Sequence, residues 1–169
     1  PVCYGSGGKL PTVTDANLVL GYLDPEFFNN GRMKLHLDVA KNAIDREISV
    51  PLSLSTEDAA WGIHLIATNN MEHAIRVVSV EQGRDPRRYA MVAFGGAGPL
   101  HAARLARKIG VPAIIVPRNA GVGSAVGLLR ADVRLDASTT RLVRLDQVSG
   151  EELCQLYKEL EHRINSDLS

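Results

Sequence analysis

Residues 89–116, YAMVAFGGAGPLHAARLARKIGVPAIIV, constrain the fold more than any other stretch. Tyr89 to Phe94 is an apolar run of the length expected for a buried parallel strand, and Ala113 to Val116 is a second. Between them lie a glycine loop and a helical pattern from Leu100 to Ile109, ended by Gly110. Two strands joined through a helix run parallel, and parallel strands need helices packed over them. The pattern therefore predicts an α/β fold built on a strand, loop, helix, strand unit.

Three glycines in four residues, Gly95, Gly96 and Gly98, give up side-chain packing and cost backbone entropy. Such a loop needs close approach to its main chain or positive φ angles. Pro99 is expected at the first helical position, where its missing N–H costs nothing. Gly95, Gly96, Ala97 and Gly98 would then present main-chain N–H groups at a helix N-terminus, on the carboxyl edge of a strand. That place favours anions and lets a flat or phosphorylated ligand lie on bare backbone. FGGAGP is neither the dinucleotide fingerprint nor the phosphate loop with its Lys and Ser/Thr, and no acidic residue ends the second strand, which reads VPR. A tight turn that packs helix on strand accounts for the glycines as well. A second loop at the same edge, PRNAGVGSA, offers Arg118, Asn119, Gly121 and Gly123 and leads into a short helix near Gly123 or Ser124.

Upstream, Gly5, Gly7 and Gly8 form a first loop, and Thr14 or Asp15 is the expected cap of a helix carrying Leu18, Val19 and Tyr22. A short helix is predicted near Asp38 to Glu47, with Val39, Ala43 and Ile44 as its apolar stripe and a break at Pro51. Ser55 and Asp58 resemble a capping box for one long helix reaching Gln82 and ending at Gly83. Its predicted buried stripe is Ala59, Ile63, Ile66, Ala67, Asn70, Ala74, Val77 and Val78. Val133 to Leu145 alternates as a strand would, and Ser149 with Glu152 caps a last helix with Leu153, Leu156, Tyr157, Leu160 and Ile164 on one side. We expect a main segment over residues 1–148 and a separate amphipathic helix over 149–169. The start without Met and the end inside a helical pattern read as a piece cut from a longer chain.

Nineteen basic residues balance nineteen acidic ones among 169, so no overall field draws the chain to nucleic acid or an anionic membrane. No apolar run approaches the roughly 20 residues of a membrane span. Cys3 and Cys154 lack paired spacing, which fits a reducing, cytoplasmic setting.

Three segments, CYGSGGKLPTVTDANLVLGYLDP, NNMEHAIRVVSVEQGRDPRRYAMVAFGGAGPLHAARLARKIGV and IIVPRNAGVGSAVGLLRADVR, closely resemble the hydantoinase A and 5-oxoprolinase family, which includes the ATP-binding subunit of acetone carboxylases. The resemblance covers most of residues 2 to 134. It implies one lobe of an actin-like, sugar-kinase-type ATPase fold, with FGGAGP beside the adenosine and inner phosphates. It also implies ATP and Mg2+ as cofactors, a cyclic amide or ketone substrate, and phosphorylation of an unreactive carbonyl oxygen before ring opening or carboxylation. The lobe carrying the family's acidic phosphate loop is not among these residues, so the chain needs that lobe and a partner subunit or a second copy to act, and alone it should be inactive.

Two residues are candidate catalytic groups. Asp15, at a helix start beside a glycine loop, could orient water or hold a divalent ion, or could simply cap the helix. His101 follows Pro99 in the first turn after the loop and matches the family's GPLHA; it is either catalytic or packed. Asn17, two positions after Asp15, shares its site or faces solvent, and Asn70 is expected to be buried with partners. His64 and His73 stand nine residues apart, on opposite helix faces, and His36 and His162 have no partner at ligand spacing, so no histidine metal site is predicted and the metal ligands stay unknown.

Overall fold

The computed structural model describes residues 1–132 and 134–167. Its α-helices are α1 (Val13–Val19), α2 (Leu37–Ile44), α3 (Val50–Leu52), α4 (Thr56–Val78), α5 (Gly98–Ile109), α6 (Gly123–Arg130) and α7 (Gly150–Asp167). Two strands, β1 (Ala90–Val92) and β2 (Ala113–Ile115), make a small parallel sheet. The described chain is thus mixed α/β and mostly helical. It divides into two compact units, Pro1–Val126 and Gly127–Ser169.

In the first unit α1 packs against both α2 and α4. The cap is Thr12, two residues before Thr14 and three before Asp15: Thr12 takes the extended N-cap conformation and Asp15, the third helical residue, reaches back to it. Leu18 joins Cys3, Leu35 and Ala40 in one apolar cluster, and Ala16 joins Ile44, Ala59 and Ala60 in another. Pro51 does not stop the helical path after α2. A π-turn over Asp45–Ser49 leads into α3, which carries Pro51 as its second residue. The path ends at Ser53, which has φ of 55°. Val39 is exposed, while Ala40 joins Ala43 and Ile44 on the buried side.

The long helix α4 starts where predicted, with the Asp58 N–H donating to Ser55 Oγ at 3.0 Å. It ends at Val78, before a 3-10 turn at Val80–Gln82 and Gly83 at φ 71°. Its buried face differs from the predicted one. Ala59, Ala60, His64 and Thr68 are enclosed, whereas Ile66 is 63 % exposed and Asn70, Ala74, Val77 and Val78 are exposed too. The side chains of α4 that meet α1 and α5 are in part polar, so a search for apolar periodicity settles on a neighbouring face.

β1 and β2 pair in parallel, with Ala90 opposite Ala113, Met91 opposite Ile114 and Val92 opposite Ile115. The expected burial is absent: Val92 and Ile115 are each 53 % exposed. Within the first unit no second helical layer covers the sheet, which leaves the apolar strand pattern without the cover it implies. In the second unit, residues 134–144 form no strand; the alternating pattern has no partner strand there, and Val133 lies outside the described residues. α7 opens with the predicted capping box, in which Glu152 N donates to Ser149 Oγ at 3.1 Å and Ser149 N to Glu152 Oε2 at 3.2 Å. Leu156, Leu160 and Ile164 are half-buried, and Leu153 and Tyr157 are exposed.

Candidate functional site

The glycine loop joins the carboxyl end of β1 to α5, with Gly98 as the first helical residue, Ala97 as N-cap and Pro99 one position later than expected. Only Gly95 takes positive φ, at 88°, and its N–H donates to the Ala120 carbonyl at 2.7 Å. That bond ties the loop to the second loop after β2. A Cβ at Gly95, Gly96 or Gly98 would meet no heavy atom within 4 Å. Backbone geometry therefore accounts for Gly95, while nothing in the described chain requires glycine at 96 or 98. Beside the loop, Phe94, Val92, Pro117, Arg118, Asn119, Gly123 and Val126 line a cleft of about 350 Å³. Phe94 lies close enough to Gly123 that an added Cβ there would come within 3.3 Å of it.

His101, in the first turn of α5, is fully enclosed. Its ring stacks on His64 of α4, with centroids 4.4 Å apart and planes 12° from parallel. Thr68 Oγ1 donates its single proton to the His64 carbonyl at 2.8 Å, one helical turn back. Toward His101 Nδ1, at 3.0 Å, the hydroxyl therefore accepts, and His101 carries its proton on Nδ1. His101 Nε2 is left as a buried lone pair with no hydrogen-bond partner. On the other ring, His64 Nδ1 donates to Asn17 Oδ1 of α1 at 2.8 Å. Burial lowers the pKa of both imidazoles below 6.5, and for His64 the neighbouring His101 and the Arg104 guanidinium add to the effect. Trp61 also stacks on His64, with centroids 5.5 Å apart, and Arg104 lies 4.3 Å from the centre of the indole. The result is a buried polar chain, Asn17, His64, His101, Thr68, crossing three helices.

Asp15 is also fully enclosed, and its carboxylate is surrounded by donors. Oδ1 accepts from Cys3 N at 2.8 Å; Oδ2 accepts from Val2 N at 3.2 Å and from Thr12 N and Oγ1 at 2.8 Å each. Burial by itself would raise its pKa, but the bonds from Cys3 and Thr12 outweigh that and hold it below 3.8. The same surroundings push the Cys3 thiol up to about 12, chiefly by burial and then by the Asp15 carboxylate. Asp15 thus fastens the first loop to α1 and has no exposed face for water or a metal ion. Among the described residues no group of three or more His, Cys, Asp and Glu is placed to hold a metal. His73 is exposed, opposite the buried His64, and Asn69 accepts a hydrogen bond from Lys108.

The sequence profile described as hydantoinase/oxoprolinase matches residues 1–137, a span that includes the glycine loop, Asp15 and all four members of the polar chain. The chain belongs to the hydantoinase/oxoprolinase family. It is 43 % identical to the caprolactamase subunit alpha of Pseudomonas jessenii over 99 % of this chain and 24 % of that one. Against 5-oxoprolinase 1 of Arabidopsis thaliana identity is 35 %, over 81 % of this chain and 12 % of the relative. A solved nucleotide-free acetone carboxylase, from work on ATP-dependent acetone carboxylation, superposes with a TM-score of 0.77 at 29 % identity, covering 99 % of this chain and 25 % of that one. The chain spans about a quarter of the length of the first curated relatives it matches.

For this hydantoinase/oxoprolinase member, sequence reasoning singled out the glycine loop, Asp15 and His101 but missed His64 and Thr68. The available signal was Ala60, His64 and Thr68 at four-residue steps, a stripe that apolar counting passes over. No helix among the described residues is long and apolar enough to cross a membrane.

Proposed function

We propose that this chain forms part of the nucleotide-binding lobe, of actin-like type, in an ATP-dependent hydrolase of cyclic amides. The observation that carries this reading is the pair Gly96 and Gly98, which have ordinary backbone and open space around them. A glycine that neither the turn nor a neighbour demands is explained by a ligand lying on the main chain. The loop offers N–H groups at the N-terminus of the twelve-residue α5, which suits the inner phosphates. The neighbouring cleft, with Phe94 and Val92 as apolar walls and Arg118 and Asn119 as polar ones, suits a nucleoside.

ATP supplies the phosphoryl group that turns a poorly reactive carbonyl oxygen into a leaving group. In this chain the loop binds and orients. Asp15 holds the first loop rather than reacting, and the enclosed His101 acts through the helix it anchors. The described residues offer no free carboxylate cluster for Mg2+, so no step is assigned to the ion. Relatives described as subunits support a partner subunit.

A second reading, the nucleotide-binding subunit of a ketone carboxylase, is favoured by the superposition on acetone carboxylase. Both readings are tested by phosphate release from ATP by the full-length protein, with its partner subunit, in the presence of hydantoin, 5-oxoproline, caprolactam, or acetone with bicarbonate. We expect a cyclic amide to stimulate release. Stimulation by acetone alone would select the second reading, and nucleotide binding with no stimulation by any of the four would leave a binding module.

A further inference from the structure

The buried polar chain ends in the first turn of α5, and the glycine loop is the segment immediately before that turn. Asn17 fixes His64 from α1, Thr68 fixes His101 from α4, and the stacked rings join the two halves. We propose that the His64–His101 stack is a proton-sensitive positioning device: neutral, it locks the first turn of α5 and the glycine loop to α1 and α4; protonated on either ring, it releases them. The functional part of this proposal rests on reading the loop as a nucleotide contact.

The surroundings contain nothing to welcome an imidazolium. From α1 and the segment after it come Asn17, a neutral acceptor, and the Tyr22 ring, 5.2 Å from His64. From α4 come Trp61 and Thr68. From α5 come His101 itself and Arg104, with Arg107 and Lys108 lining the small cleft that His64 borders. The α4 carboxylate bound to Lys108, Glu72, is already shared between Arg76 and Lys108. A proton added at His64 Nε2 or His101 Nε2 therefore places charge in a buried stack whose charged neighbour, Arg104, is a cation, and the local remedy is to open it. Opening restores ordinary imidazole affinity for protons. The lock is thus complete above about pH 6.5 and weakens as pH falls below it, by up to about tenfold in the opening equilibrium per pH unit for each proton taken up.

The test uses the full-length protein between about pH 8 and about pH 5.5. Amide hydrogen exchange across residues 95–101, corrected for the intrinsic pH dependence of exchange, reports the lock. A fluorescent ATP analogue reports the loop's affinity. We expect protection and affinity to fall together below about pH 6.5, and His64→Gln, which keeps a neutral amide donor toward Asn17 while removing one of the two titrating rings, to make both profiles shallower, with His101 alone still taking up a proton. Protection unchanged with pH, or a His64→Gln protein with the wild-type profile, would overturn the device. Protection that falls with acid in a protein that binds no nucleotide would keep the device and remove the nucleotide reading instead. If His64→Gln does not fold, ring-nitrogen NMR of the unmodified protein decides: two neutral Nδ1–H imidazoles at neutral pH support the proposal, and a charged ring in the stack there overturns it.

Discussion

The two halves of α4 sit in opposite surroundings. From Ala59 to Thr68 the helix turns an enclosed face, Ala59, Ala60, His64 and Thr68, toward α1 and α5, and Asn17, His64, Thr68 and His101 are joined there in one polar chain. From Ala74 to Val78 it borders an open apolar groove of about 590 Å³, with Met71, Ile75, Met91, Leu105 and Ile109 among its walls. The exposed strands β1 and β2 belong to this second surrounding. The helical half has a finished core of its own, whereas the strand half presents apolar surface of the kind that ordinarily lies under further structure. The glycine loop stands at the junction, anchored on the closed side and bare on the open side. Rigid support under an accessible main chain is what a binding loop needs.

If that contrast is real, truncations should cost very different amounts on the two sides. Ile44→Ala, in the closed core, should lower the unfolding free energy by about 2–5 kcal/mol, while Ile115→Ala, on the exposed strand, should cost under about 1 kcal/mol. Urea denaturation of both variants gives the comparison, and equal losses would break it.

Asp15→Asn comes next. An amide offers one acceptor oxygen where the carboxylate serves four donors, and it turns an NH2 toward N–H groups. The expected loss is about 2–3 kcal/mol, read from the same denaturation curves. Because the folded-state pKa of Asp15 lies below 3.8, its contribution is present above that value and is lost as pH falls through the folded pKa. The variant should therefore be less acid-sensitive than the parent, and an unchanged acid transition would remove Asp15 from its anchoring role.

A smaller effect separates the glycines. Gly95→Ala places a Cβ at φ 88° and should cost about 1–2 kcal/mol, against less than about 0.5 kcal/mol for Gly96→Ala, measured as a shift in melting temperature. Equal costs would return both glycines to turn geometry.

Much of this organisation was legible in the residues. The strand, glycine loop, helix, strand unit, the start of α4 at Ser55 and the Ser149 to Glu152 box were written in local patterns of glycine, proline and capping residues, which act over a few positions. What stayed hidden depends on distant partners. The N-cap at Thr12 became visible only with Asp15 reaching back across three residues and gathering Val2 and Cys3. His64 and Thr68 escaped because a polar stripe between helices looks like a solvent face until the facing helix supplies Asn17 and His101. The exposure of β1 and β2 escaped for the converse reason: an apolar run reports that a strand expects cover, without saying where the cover comes from. Of the candidate site, the loop was readable as chemistry. The support beneath it was not.

The central claim is that Gly96 is glycine for a ligand and not for the fold. Gly96→Val in the full-length protein tests it, with ATP affinity and melting temperature measured on the same sample. Ordinary φ and empty space around the position predict a melting temperature close to the parent's, while a branched side chain on the loop's bare main chain should weaken ATP binding by roughly a hundredfold or more, the scale of a lost phosphate or base contact of about 3 kcal/mol. A folded Gly96→Val protein that binds ATP as the parent does would contradict the account.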